Sequence, residues 1–114
     1  MSKSMIDYLR HILVVCEYLE ELKQNGLTKA ELLEDETKKR AIVRSLEIIG
    51  EATKNIEKPF REKFPRLNWK QMAGMRDRLI HNYMGVNYNI VWDVIETKIP
   101  HLKLEIERII DGQE

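Results

Sequence analysis

Between Arg76 and Tyr83 the chain gathers two cations, a carboxylate, an imidazole and a phenol in the run Arg-Asp-Arg-Leu-Ile-His-Asn-Tyr. At about 100° per residue on a helix, Asp77 and His81 are four apart and share one stripe, while Arg76 and Tyr83 are seven apart and nearly eclipsed beside it. Asp77 can accept a hydrogen bond from the His81 ring, which orients the imidazole and favours its protonated form; a histidine so held suits proton exchange. Arg76 offers a rigid fork of donors that matches a phosphate. Arg76 and His81 themselves stand about 140° apart on a straight helix. One helix therefore does not aim both at one small group of atoms, and either the substrate is large or a second subunit contributes. The same residues also suit a solvated helix end, with Asp77 pairing with its basic neighbours and His81 favouring the C-terminal dipole.

Other chemistries lack their carriers. His11, His81 and His101 have no histidine or carboxylate companions at metal-site spacing, and no HExxH, GxxxxGK[ST], GxGxxG or GxSxG string occurs. No metal and no cofactor is expected. The single Cys16 cannot close an internal disulfide, in keeping with a reducing compartment, and its place among apolar residues predicts a small core residue.

The elements that must position the motif are helical. Ser4 can cap a first helix with Ile6, Leu9, Leu13 and Cys16 on one stripe and Tyr8, Ile12, Val15, Leu19 and Leu22 on the next, stopping at Gly26. Thr28 and Glu31 have capping-box spacing for a short turn through Leu33. Asp35 can cap a second long helix that turns Ala41, Ile42, Leu46, Ile49, Ala52 and Ile56 inward and ends before Pro59. On the same helix Glu51 reads as a carboxylate in an apolar stripe that needs a partner, with Arg76 a candidate. Pro59 and Pro65 leave room for a single turn around Phe60 and Phe64. Asn68, with Gln71 three residues on, opens the motif helix through Trp69, Met72, Ala73, Met75, Leu79 and Ile80, which should fade near Gly85. Asn87 can cap the last helix, with Ile90, Val91, Val94 and Ile95 inward, and Pro100 then forces a kink or restart before Leu102, Ile106, Ile109 and Ile110. Trp69 and Trp92 are expected to pack beside the motif helix, with Met72, Met75 and Met84 filling gaps.

The 114 residues make one domain, 1–114. With 43% hydrophobic and 33% charged residues, five Gly and three Pro, the chain is too apolar for disorder and too poor in turn residues for a many-stranded sandwich. The expected fold is all-α, an up-and-down bundle of four to five main helices whose broad apolar faces leave room for a homodimer. No apolar run is long enough to span a bilayer, and the opening MSKSMIDYLRH carries Asp7, Arg10 and His11 where a signal peptide needs apolar residues, so a cytoplasmic protein is expected. Nineteen bases balance nineteen acids, which argues against whole-molecule attraction to nucleic acid or membrane. Residues 17–36 are nonetheless acidic and residues 61–80 basic, read either as a working anionic site or as solvated faces that differ in sign.

The string R-x4-H-x-Y, here Arg76, His81 and Tyr83, resembles the signature of the HEPN superfamily of small helical proteins, and within it the HepT branch of toxins. The likeness extends to Ile48-Ile49-Gly50-Glu51-Ala52 and to residues 64–100, FPRLNWKQMAGMRDRLIHNYMGVNYNIVWDVIETKIP, which are similar to the branch's sequence of Pro, Trp, Met-Arg, Leu-Ile-His-x-Tyr, Gly-Val, Val-Trp and a late Pro. It covers nearly the whole chain, and Asp77 fills the polar position after the arginine that the superfamily commonly uses.

The resemblance implies a metal-independent endoribonuclease, the toxin of a type II toxin–antitoxin pair, acting as a homodimer with its site at the two-fold interface. It implies His81 as general base or acid, Arg76 as stabiliser of the phosphate in the transition state, and Asp77 as the group that orients His81. Tyr83 becomes a phosphate or base contact, and Arg78 and Lys70 extend a basic track for RNA. In this branch the antitoxin resembles a minimal nucleotidyltransferase, and transfer of AMP to the tyrosine matching Tyr83 neutralises some toxins. The acidic stretch 17–36 then serves either antitoxin contact or solvation. A competing reading makes the chain a non-catalytic helical partner of a nucleotidyltransferase that binds nucleotide or protein through the motif helix.

Overall fold

The computed structural model describes the backbone of residues 3–81 and 85–113 and the side chains of residues 5–75 and 85–112. Among these every regular element is helical: α1 (Lys3–Gln24), α2 (Lys29–Glu34), α3 (Glu36–Lys54), α4 (Lys58–Lys63), α5 (Trp69–His81), α6 (Tyr88–Asp93), a π segment (Val94–Lys98) and α7 (Ile99–Gln113). None of the described helices is long and apolar enough to cross a membrane.

Local sequence sets most of the boundaries. Gly26, at φ 100°, takes the left-handed turn after α1 that a side chain would resist. The Thr28 hydroxyl accepts from the Glu31 N–H at 3.1 Å to start α2, and the Asp35 carboxylate accepts from the Lys38 N–H at 3.1 Å to start α3. At the far end of α3, the Arg61 guanidinium reaches back from α4 and donates to the carbonyls of Thr53 at 2.7 Å and Ile56 at 2.9 Å. A side chain thereby adds a donor at the helix end, where the Thr53 carbonyl already takes the Ile56 N–H at 3.0 Å.

Four long rods make the bundle: α1, α3, α5 and the run α6–π–α7. The Glu57 N–H meets the Met5 sulfur at 3.4 Å, so the end of α3 lies beside the start of α1 and the two run antiparallel. Lys103 pairs with Glu20 at 3.1 Å, which sets the start of α7 beside the end of α1. α5 packs against α3, and Arg66, just before α5, comes within 4.0 Å of Glu105 on α7. The chain thus alternates up and down as expected. Its extents of 44 × 30 × 20 Å leave a thickness of two helices.

The core is continuous. Leu9, Ile12, Cys16 and Leu19 of α1, Ile42, Leu46 and Ile49 of α3, and Ile95, Ile99 and Ile106 of the last rod are almost fully buried. The polar groups inside are satisfied locally, since Ser45 and Thr53 donate to the carbonyls of Ala41 at 2.8 Å and Ile49 at 2.7 Å.

Four expectations change. α1 already includes Lys3, so Ser4 lies inside the helix and is not its cap. Ile90 is 60% exposed, while Val91 and Ile95 carry the inner face that was assigned to it as well. α6 spans only six residues and is docked by one narrow stripe, so a neighbour of that stripe remains outside. Glu51 is not a core carboxylate: its side chain is 40% exposed and accepts from Arg44 at 3.1 Å, and any pairing with Arg76 lies outside the described side chains. Before Pro100 the rod widens into a π turn instead of restarting, and the Ile99 N–H bonds five residues back to the Val94 carbonyl. Proline lacks an N–H and crowds the carbonyl four residues before it, and a wider turn relieves both.

Cys16 is the small core residue its position implies. Burial above all, then the charges of Glu20 and Glu17, pushes its thiol up from 9.0 to about 12. The neutral thiol is the form that folding favours, so this contribution is fully present below about pH 9 and is lost as pH rises toward 12. Denaturation midpoints should therefore fall more steeply between pH 9 and 12 for the native protein than for Cys16→Ala, and iodoacetamide at pH 8 should modify Cys16 only when denaturant unfolds the chain.

Candidate functional site

The motif rides on α5, and the start of α5 is held firmly. Trp69 is buried and its indole Nε1–H donates to the Phe64 carbonyl at 2.9 Å, while the Phe64 ring leans on Phe60 with centroids 5.0 Å apart. The Asn68 carboxamide oxygen accepts weakly from the Gln71 N–H at 3.4 Å, the cap that the sequence predicts. Met72 is buried and Met75 half-buried, and with Trp69 they turn the first half of the helix inward.

Beyond the motif the chain is anchored again. The Asn87 side-chain oxygen accepts from the N–H groups of Asn89 at 3.0 Å and Ile90 at 3.3 Å, and the Lys39 ammonium lies 4.9 Å above the Tyr88 ring. Trp92 is half-buried, with the Lys23 ammonium 5.9 Å from its ring. The segment from Arg76 to Tyr83 is thus carried between two tethered ends, one at Trp69 and one at Asn87.

Arg76, Asp77, Arg78 and His81 all fall within the helical backbone of α5, whose last residue is His81. That helical backbone gives Asp77 and His81 their one-turn spacing and keeps the Cα directions of Arg76 and His81 about 140° apart. Their side chains, and the whole of Tyr83 and Met84, lie outside what the structure describes. Lys70 is exposed on the first turn of α5. His11 and His101 are exposed, and among the described residues no cluster of His, Cys, Asp or Glu could hold a metal ion.

Sequence reasoning did not single out the cavity next to the motif. A cleft of about 270 Å³ opens between α3, α5 and the start of the last rod, lined by Leu46, Met75, Val86, Val91 and Val94 with Gln71 and Lys98 among its polar members. Pro100 was the signal that this rod is irregular, but it does not reveal that the irregular turn faces α5.

The Ribonuclease HepT-like family matches residues 15–109 of the chain. Among curated relatives, a protein of Caldanaerobacter subterraneus subsp. tengcongensis named "Putative RNase" is 49% identical over 106 residues, 93% of this chain and 94% of its own length. The "Probable ribonuclease HepT" of Thermococcus cleftensis is 39% identical over 109 residues, 96% of this chain and 98% of its own length. No solved structure matches.

Because the Trp69 indole fixes the start of α5, Trp69→Phe should remove one part-buried hydrogen bond and leave the Phe64 carbonyl with only the long 3.4 Å bond from the Leu67 N–H. Chemical denaturation should report a loss of roughly 1–3 kcal/mol.

Proposed function

The chain belongs to the HepT-like ribonuclease family, and from that premise we propose that it is a metal-independent endoribonuclease with Arg76, Asp77 and His81 as its working groups. The observation that carries the reading is a single helix, Trp69–His81, bearing all three residues in a chain that the family matches from residue 15 to 109.

RNA brings its own nucleophile. A base removes the proton of the 2′-hydroxyl, the 2′-oxygen attacks the adjacent phosphorus, and the bond to the 5′-oxygen breaks as an acid supplies that oxygen with a proton. The products are a 2′,3′-cyclic phosphate and a 5′-hydroxyl. His81 serves as base or acid, with Asp77 accepting a hydrogen bond from its ring and favouring the imidazolium. Arg76 balances the charge that builds on the crowded phosphate. Tyr83, Arg78 and Lys70 contact the RNA.

The wide angle between Arg76 and His81 supports a homodimer. A two-fold axis beside α5 would set two copies of the helix around one groove, so that Arg76 of one copy works with His81 of the other, and the two imidazoles divide the roles of base and acid.

The rest of the reading follows the family resemblance. The protein is the toxin of a type II toxin–antitoxin pair, acts in the cytoplasm and is neutralised by a nucleotidyltransferase antitoxin that transfers AMP to Tyr83. An added adenylyl phosphate there would repel an incoming RNA phosphate.

Purified protein incubated with single-stranded RNA or tRNA in EDTA should cut it, and Arg76→Ala and His81→Ala should each lose at least about 100-fold in rate, the usual scale of proton-transfer and charge-stabilising groups. Mixing the two inactive variants should restore part of the activity if the site draws on both copies. Cleavage that persists in either single variant would exclude α5 as the site, and cleavage that requires added divalent metal would exclude the metal-independent route.

A further inference from the structure

Two cavities adjoin along one face of the bundle and form a single groove between α5 and the last rod. The upper, of about 270 Å³, reaches Gly85, Val86 and Asn87, just beyond Tyr83 in the chain. The lower, of about 440 Å³, runs down to Arg66, Asn68 and His101. Gln71, Met75, Val94 and Lys98 line both.

The walls combine three features. The floor is apolar, with Met72, Met75, Val94 and Leu102. Methionine sulfur is polarizable and lies well against an aromatic ring. The rim carries amides with donors to spare: Asn68 and Asn87 spend their oxygens on helix caps, which leaves their NH₂ groups unbonded among the described residues. Among the described residues the charged side chains that line the groove are Arg66, which lies 4.0 Å from Glu105, and Lys98, and no carboxylate lines it. Among the described residues Lys98 has no acidic partner, whereas Lys38, Lys39 and Lys103 are each paired with a glutamate.

The π turn builds this wall. Val94, Thr97 and Lys98, which belong to it, all line the groove; the Thr97 hydroxyl is turned back on the Asp93 carbonyl at 2.8 Å, Lys98 is exposed, and the turn's Glu96, also exposed, lines neither chamber. Single π turns inside α-helices recur at functional sites because the extra residue re-aims side chains.

We propose that this groove holds the stretch of single-stranded RNA that flanks the cut, with one nucleobase on the Met72–Met75 floor and a backbone phosphate on Lys98. The inference rests on the ribonuclease reading and extends it to a second set of residues. A molecule with no net charge has no general hold on a polyanion, so local cations must supply it. A base plane fits an apolar floor with amide donors at its edge, and stacking needs no particular sequence. Gln71, shared by both chambers, sits where base identity would be read.

The test uses the full chain and a single-stranded RNA oligonucleotide, with KM, kcat, salt dependence and cut positions measured for Lys98→Gln, Lys98→Glu and Gln71→Ala. Lys29→Glu, at an exposed lysine on α2, is the control. Binding of the same oligonucleotide with 2′-O-methyl groups is followed alongside. The Lys98 variants should raise KM severalfold with kcat little changed, the charge reversal more than the neutral change, and reduce the salt slope of binding by about one. Gln71→Ala should redistribute the cut positions, and Lys29→Glu should alter neither. If the native protein cuts RNA but KM, slope and cut pattern are the same in all variants, the groove is not an RNA subsite and this inference alone falls. If the native protein neither binds nor cuts RNA, both it and the ribonuclease reading fall.

Discussion

The hydrogen bond from the Trp69 indole to the Phe64 carbonyl fixes where α5 begins, and the motif takes its position from that point. A helix has no freedom of phase once its first turn is locked: with Trp69 and Met72 buried, the backbone from Arg76 to His81 follows at 100° steps. The turn that carries Phe64 is itself fastened to α3 through Arg61 and the carbonyls of Thr53 and Ile56. A chain of short polar contacts therefore links the centre of the bundle to the helix proposed to do the chemistry. Each is made to a backbone carbonyl at a helix end or in a turn, where regular helical bonding runs out.

Charge is arranged with the same division of labour. Much of the acidic stretch has structural employment: Glu20 pairs with Lys103, Glu31 with Lys38 at 2.6 Å and Glu36 with Lys39 at 3.5 Å. The bond to Glu31 raises the Lys38 pKa and keeps its charge in place. Such exposed pairs contribute little to stability individually, but they remove carboxylates from the set available to a partner. On the basic side, Lys70 and Lys98 have no acidic partner among the described residues, and both face solvent, Lys70 on α5 and Lys98 beside it. A neutral chain can in this way present a local cationic surface.

Helix starts other than that of α1 were legible in the sequence because capping is local chemistry. Thr28, Asp35, Asn68 and Asn87 each bond an N–H two or three residues ahead, and nothing distant decides whether they can. Inner faces of long helices were legible for a related reason, since Leu9, Ile12, Ile42, Leu46 and Ile49 repeat at helical spacing over many turns. What failed was fixed neither by a cap nor by a long periodic face. Ile90 lies on a helix too short for its apolar pattern to define a face, Glu51 found Arg44 seven residues earlier on its own helix, and the π turn reflects how the last rod accommodates Pro100 while packing on α5. The identities of the motif residues could be read from one stretch of chain. The groove could not, because its walls come from α3, α5 and the last rod together.

The central claim is that the α5 motif cleaves RNA by attack of the 2′-hydroxyl on the neighbouring phosphate. Its most direct test is to map the cut in an RNA oligonucleotide, identify the new ends, and repeat the reaction with a single 2′-deoxy substitution on the 5′ side of that bond. The account predicts a 2′,3′-cyclic phosphate and a 5′-hydroxyl, with cutting at that bond abolished by the substitution. A 3′-hydroxyl end, or undiminished cutting of the deoxy substrate, would contradict it.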